Sequence, residues 1–318
     1  MAGRRNRATG VIVVAVALVC AAPLAGWGEL LPPAASGPAP ICSRQPAAPV
    51  ERSYAVSGRV RLLFFWTGRR EVGNARINWT SAADGACGLT LLIGTDPERA
   101  PGHLNRWGYV AESTAGGTTT VLGVMTQSDE QTVERARESL AAPSSAARAY
   151  KAVRATVADG YSSSEVVRLF ESADLTYRDL ETLLARLPPP AAPRRLPMPP
   201  NADHGFLSSM AAVLHESVVA HVQTHRVATP VRRQYLHGGQ PFDLTLRRAR
   251  AVDALTLGQT TYRDVIDGEF DVRNGTTHET TEFEITYGTR DGLAEVPLQV
   301  QYHPRWWLAL ELTLKEKR

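Results

Sequence analysis

Apolar residues recur at every second position through the last third of the chain: Phe270 and Val272, then Phe283, Ile285 and Tyr287, then Val296, Leu298, Val300 and Tyr302, then Leu308, Leu310, Leu312 and Leu314. A period of two belongs to a strand with one buried face, so the stretch from Phe242 to Leu314 predicts an antiparallel meander. Asn274-Gly275 and Asp291-Gly292 suit two-residue hairpin turns, and His303-Pro304-Arg305 interrupts the ladder before the last strand. The first half carries a similar signal. Val56, Val60, Leu62, Phe64 and Trp66 point one way with Leu63 and Phe65 on the other face, and Ala75, Ile77 and Trp79 alternate with polar residues. Further strands are expected at 89–93, 107–111 and 119–125, giving five strands in the N-terminal half of a sheet.

Between these halves the period turns helical. Ser128 to Gln131, Ser162 to Glu165 and Thr176 to Asp179 resemble helix starts in which a hydroxyl caps free amides and a longer side chain reaches back. Helices are expected over 129–140, 146–158, 163–173 and 177–187. A longer helix is expected over 205–227, with Leu207, Met210, Ala211, Leu214, Val218 and Val222 in one stripe that His221 and His225 extend. The fold class is therefore α+β: a curved antiparallel β-meander, barrel or half-barrel, with a helical insert between its two halves.

The segments at the margins set the organisation. Arg4, Arg5 and Arg7 precede a short apolar run from Val11 to Ala22, the pattern of a secretory signal peptide over 1–28. Lipidation at Cys20 and a retained N-terminal anchor are the other readings, and either would give membrane association through the N-terminus alone. Residues 29–52 are Pro/Ala-rich and read as a tether. The N-terminal half of the sheet then spans 53–127, the helical insert 128–187, a proline-dense extended linker 188–203, and the helix with the C-terminal half of the sheet 204–318. The expected location is the periplasm or cell envelope.

Composition narrows the function. The 318 residues carry 35 Lys plus Arg against 32 Asp plus Glu, and loss of the three leading arginines leaves 32 of each. A neutral chain has no electrostatic footprint for nucleic acid. With Cys20 removed, Cys42 and Cys87 are an even pair for an oxidising compartment; they form a disulfide or remain two thiols with Cys87 buried.

No motif points to catalysis. His215-Glu216 with His221 and His225 places histidines on a helix, but a zinc protease needs His-Glu-x-x-His and here the next histidine falls six residues on. His237-Gly238-Gly239 has the look of part of an oxyanion loop, yet the chain has no Gly-x-Ser-x-Gly turn to supply a nucleophile. No catalytic residue, metal or cofactor is assigned. Aromatic side chains are the stronger clue: Phe64, Trp66, Trp79, Trp107 and Trp306, with Ala75 and Ile77, would line a curved sheet and either bind an apolar, lipid-like ligand or fill a core.

Phe65-Trp66 with Val72-Gly73-x-Ala75-x-Ile77, and Val296-Pro297-Leu298 leading to Tyr302-x-Pro304-Arg305-Trp306-Trp307, resemble a family of exported bacterial domains of unknown function built as a β-meander barrel or half-barrel. More distantly the chain is similar to the periplasmic lipoprotein carriers, whose half-barrel is closed by helices. The resemblance covers 54–125 and 231–316 and implies fold and compartment, with no catalytic residue. The expectation is a non-enzymatic exported envelope protein, with an apolar ligand or an envelope protein as partner. A helix-borne metal site with hydrolase activity and a structural role in envelope assembly are the alternatives.

Overall fold

The computed structural model describes residues 50–62, 65–82, 84–100, 103, 105–126, 147–290, 292–305 and 308–315. Among these residues fourteen strands form one antiparallel sheet. Its N-terminal half comprises β1 (Val50–Leu62), β2 (Phe65–Ser81), β3 (Cys87–Thr95), β4 (Trp107–Ala115), β5 (Thr118–Thr126), β6 (Ala147–Ala158), β7 (Tyr161–Ser172) and β8 (Arg194–Pro197). The C-terminal half comprises β9 (Val231–His237), β10 (Gln240–Leu257), β11 (Thr260–Asn274), β12 (Thr280–Gly288), β13 (Pro297–Arg305) and β14 (Leu308–Leu314). Each half is a meander, and the first strand pairs with the last, so the order runs β8 through β1 and then β14 through β9. Among the described residues two helices lie between the halves: α1 (Leu180–Ala185), preceded by a 3-10 turn over Tyr177–Asp179, and α2 (Phe206–Thr224).

The pleat sorts side chains onto two faces. Register carries Ala75, Ile77 and Trp79 of β2 alongside Ile93, Leu91 and Leu89 of β3, and these alongside Gly108, Val110 and Glu112 of β4. The same inner face continues through Val56, Leu312, Val300, Ile285 and Gly268. On the outer face of the N-terminal half, Trp107, Val124, Tyr150 and Ala152 are buried with Leu183 of α1. The sheet curls until the β9–β10 turn, Gly238-Gly239, lies against Val153, Ser164, Val166 and Leu196. Both glycines have positive φ, 58° and 75°, the backbone that a tight hairpin demands. His237-Gly238-Gly239 is thus a hairpin corner.

Several expectations are corrected. Among the described residues the insert is helical at 177–185 only; the helices expected at 146–158 and 163–173 are β6 and β7, a hairpin turning at Asp159-Gly160, while 129–140 lies outside the described residues. The single strand read through Val56 to Trp66 is two, since β1 ends at Leu62 and β2 starts at Phe65. Asn274-Gly275 opens a longer loop in place of a two-residue turn: Asn274 Oδ1 accepts from the backbone amides of Thr276 and Thr277 and holds the chain in a local turn. β1 starts at Val50, inside the stretch read as a tether. The helix expected over 205–227 is α2, shorter by a few residues at its C-terminal end, where His225 adopts the left-handed conformation and stops it.

Candidate functional site: an apolar chamber beneath α2

Where the two halves join, the inner face and the N-terminal half of α2 enclose an apolar chamber of about 150 Å³. Ile77, Trp79, Leu89 and Leu91 line one side, Phe283, Ile285, Val300 and Leu312 the other, and Phe206, Leu207, Met210, Ala211 and Leu214 of α2 form the roof. Strand alternation supplies the walls and the helical period supplies the roof. Trp79, Ile77, Leu91, Met210 and Phe283 are each half-buried, so one side of the chamber reaches solvent. A chamber of this size lined by aliphatic and aromatic side chains offers water few partners and suits small apolar groups better.

Polar anchors hold the roof to both halves of the sheet. Gly205 begins α2 without a capping side chain, and Ser208 Oγ accepts from its amide at 2.9 Å. The next free amides, of Leu207 and Ser208, donate to Oε1 and Oε2 of Glu112 in β4 at 2.6 and 2.9 Å. A glutamate 95 residues away thus occupies the place of the N-cap. A Cβ at position 205 would overlap that carboxylate, so glycine is required there by space. Toward the other end, Ser217 Oγ and Tyr287 Oη lie 2.7 Å apart, His215 Nδ1 lies 2.7 Å from Glu295 Oε1, and Glu216 pairs with Arg233 of β9. Burial pushes the Glu112 carboxyl up to about 7 against the pull of its hydrogen bonds to Ser208 and Leu207, with Asp203 adding to the rise. His237, over Gly123 of β5, is pushed down to about 3 by burial and then by Lys151.

The ligand-site residues expected from the sequence divide. Ile77 and Trp79 line the chamber. Ala75 is on the same face but packed into the core beside it, 2% exposed. Trp107 faces the other way: it is buried on the outer face against Tyr150, ring centroids 5.6 Å apart, and its indole N–H donates to Leu175 O at 3.3 Å. Its assignment to the ligand site is therefore corrected. Phe64 and Trp306 lie outside the described residues, as does the side chain of Trp66. Cys87, at the start of β3, is buried and disulfide-bonded; Cys42 lies outside the described residues.

The helix histidines do not converge. His215 is engaged with Glu295, His221 and His225 meet edge to face at 6.4 Å, and among the described residues no three His, Cys, Asp or Glu side chains are placed to hold a metal ion. No described helix is long and apolar enough to cross a membrane. The roof residues were visible as a stripe in the sequence. Glu112 was missed, and its signal was a lone acid at the inward position after Val110.

No family model matches the chain, and no curated protein does. Among solved structures it is similar to a β-barrel-like protein of a domain of unknown function, DUF1849, from Brucella abortus, with 8% identity, a TM-score of 0.41, and coverage of 85% of this chain and 96% of that one. It is also similar to a candidate lipoprotein from Parabacteroides distasonis, with 8% identity, a TM-score of 0.26, and coverage of 84% and 95%. At such values the function has to be argued from the chain's own residues.

Proposed function

We propose that the protein is a non-enzymatic, exported envelope protein that holds the apolar part of a lipid-like ligand between its curved sheet and α2. The observation that carries this reading is the chamber itself, a void walled by hydrocarbon side chains where the two halves of the sheet meet. Well-packed interiors leave few voids larger than a water molecule, and an empty one lowers stability, so a chamber kept at the junction of the two halves fits a site that is filled in use. Its volume suits about six carbon atoms, the size of an aromatic ring, so an acyl chain would enter by its end or by displacing α2. A signal peptide over 1–28 and a Cys42–Cys87 disulfide belong to the same proposal.

The test is to fill the void. An uncharged fluorescent naphthylamine should bind the full chain at one site, and native mass spectrometry of protein taken from its own envelope should show a lipid-sized adduct. Ala211→Phe, which projects a ring from the roof into the chamber, should abolish both and raise the melting temperature of the empty protein. If Ala211→Phe lowers stability and the parent carries neither probe nor adduct, the chamber is incidental and a structural role in envelope assembly is the reading that stands.

A further inference from the structure

Glu112 is 1% exposed, and what covers it is the start of α2. Its neighbours within the sheet are Leu89 on β3 and Val121 on β5, which offer no compensating charge. We propose that shutting α2 over the chamber is coupled to uptake of one proton by Glu112, so that the roof is held shut in acid and released as the medium becomes neutral to alkaline. The proposal rests on the apolar-ligand reading and adds to it a means of loading and release.

The physical argument starts from what the roof does to the carboxylate. With α2 lifted, Glu112 faces water and titrates as an ordinary carboxyl; with α2 seated, it exchanges water for two backbone amides in an apolar wall. Two hydrogen bonds favour the charged form, but full desolvation opposes it more strongly, and the shut state holds the proton to about pH 7. A group bound more tightly by protons in one state draws the molecule toward that state as pH falls. Shut is therefore the acid form.

The groups facing Glu112 do not reverse this sign. Asp203, just ahead of α2, raises the carboxyl further. His204, with Nδ1 2.6 Å from Thr119 Oγ1, is pushed down by burial and is uncharged near neutrality. The Tyr235 hydroxyl on β9 is pushed well above its ordinary value by burial and stays protonated. His237, two residues along β9 and pushed down to about 3, is neutral over the same range. Ser208 of α2 contributes its amide and no charge.

Release of the bound naphthylamine, followed by stopped-flow dilution of the full chain between pH 5.5 and 8.5, tests the coupling. The ratio of shut to open should fall about tenfold from pH 6 to pH 8, because a proton held to about 7 in one state and to an ordinary carboxyl value in the other shifts the balance by up to a factor of ten per pH unit between them. Release should speed up by the same factor, and Glu112→Gln, permanently uncharged, should release slowly and without pH dependence. Gly205→Ala, which pushes the roof off the carboxylate, should release fast throughout. The proposal is overturned if the parent's release is flat with pH or if Glu112→Gln keeps the parent's profile. Failure of the probe to bind at any pH removes the carrier reading instead, and the latch is then decided by hydrogen exchange of the Leu207 and Ser208 amides, corrected for intrinsic rates. Should Glu112→Gln not fold, carbon-13 titration of the Glu112 carboxyl in the parent decides, and a midpoint below 5.5 overturns the proposal.

Discussion

The two faces of the N-terminal half treat aromatic side chains in opposite ways. On the outer face, Trp107 and Tyr150 are covered by the segment running into α1, which is tied down by hydrogen bonds: the indole N–H donates to Leu175 O, the Tyr150 hydroxyl to Ser172 O at 3.0 Å, and Asn105 Nδ2 to the carbonyls of Ala173 and Leu175 at 3.0 and 2.9 Å. On the inner face, Trp79 and Ile77 meet the roof across a void. A short cover pinned by several hydrogen bonds to its own backbone can settle onto each side chain. A nineteen-residue helix pinned at Glu112, Ser217 and His215 spans the inner face and leaves space under it. The difference separates aromatics packed on all sides from those that border a void.

The sharpest way to break this contrast is to truncate on the filled side. Trp107→Ala should cost about 3 to 5 kcal/mol, the range for losing a large packed aromatic, and should leave naphthylamine affinity unchanged in whatever fraction remains folded. Urea unfolding with a parallel probe titration checks it; an affinity lost in step with Trp107 would place that side chain in the site after all.

Acid is the next lever, because the inner face buries ionisable groups. His237 has its pKa depressed on folding, so its contribution is present above the ordinary histidine range and is lost as pH falls through 6.5 toward 3. Glu112 has its pKa raised, so its contribution is full below the ordinary carboxyl value and is lost as pH rises through 7. The two slopes oppose each other between 4.5 and 6.5, where stability should be nearly level, and below 4.5 the His237 loss of about 1.4 kcal/mol per pH unit should emerge. Glu112→Gln should uncover that slope at once below 6.5, and His237→Leu should remove it. Melting curves at half-unit intervals of pH read both.

Ala75→Phe probes the border between void and packing on the inner face itself. Ala75 is buried in the core beside the chamber, so the larger ring should overpack it and cost about 1 to 3 kcal/mol. Set against a stabilised Ala211→Phe, this outcome would locate the chamber's edge between β2 and the roof; equal effects from the two would erase that edge.

The smallest effect concerns the roof's far anchor. Tyr287→Phe removes a buried hydroxyl 2.7 Å from Ser217 Oγ, but Ser217 keeps its bond to Leu214 O at 2.8 Å, so the cost should be about 1 kcal/mol by thermal unfolding.

Sequence alternation made β10 to β14 and the wall at Ile77 and Trp79 legible, because those strands have one packed and one wetter face. It failed in β6 and β7 for a physical reason: Ala149, Tyr150, Ala152 and Val153 are buried on both sides, under α1 and under the β9 end, and a strand covered twice loses its period. Asp159-Gly160 was the available hairpin signal between them, and the serines taken as a helix start are the inward Ser162 and Ser164 of β7, buried near the Gly239 turn. Alternation tells which residues share a face but not which face looks inward, and Trp107 was misplaced for want of register with β2. Glu112 and His237 depend on contacts far along the chain, which no local pattern records.

The pairing of β1 with β14 also sets an order of events. Tyr54 stands opposite Leu314 and Val56 opposite Leu312 in the middle of the sheet, so the central seam joins the first strand to the last. Local hairpins on either side form from neighbouring segments, but the seam waits for β14 and must close the loop between Tyr54 and Leu314. Until then β1 has an unpaired edge bearing Tyr54 and Val56, open to mispairing with another chain. A nascent chain stalled short of Leu308 would be two half-sheets in search of a seam, which makes the last strand the kinetic checkpoint of the fold.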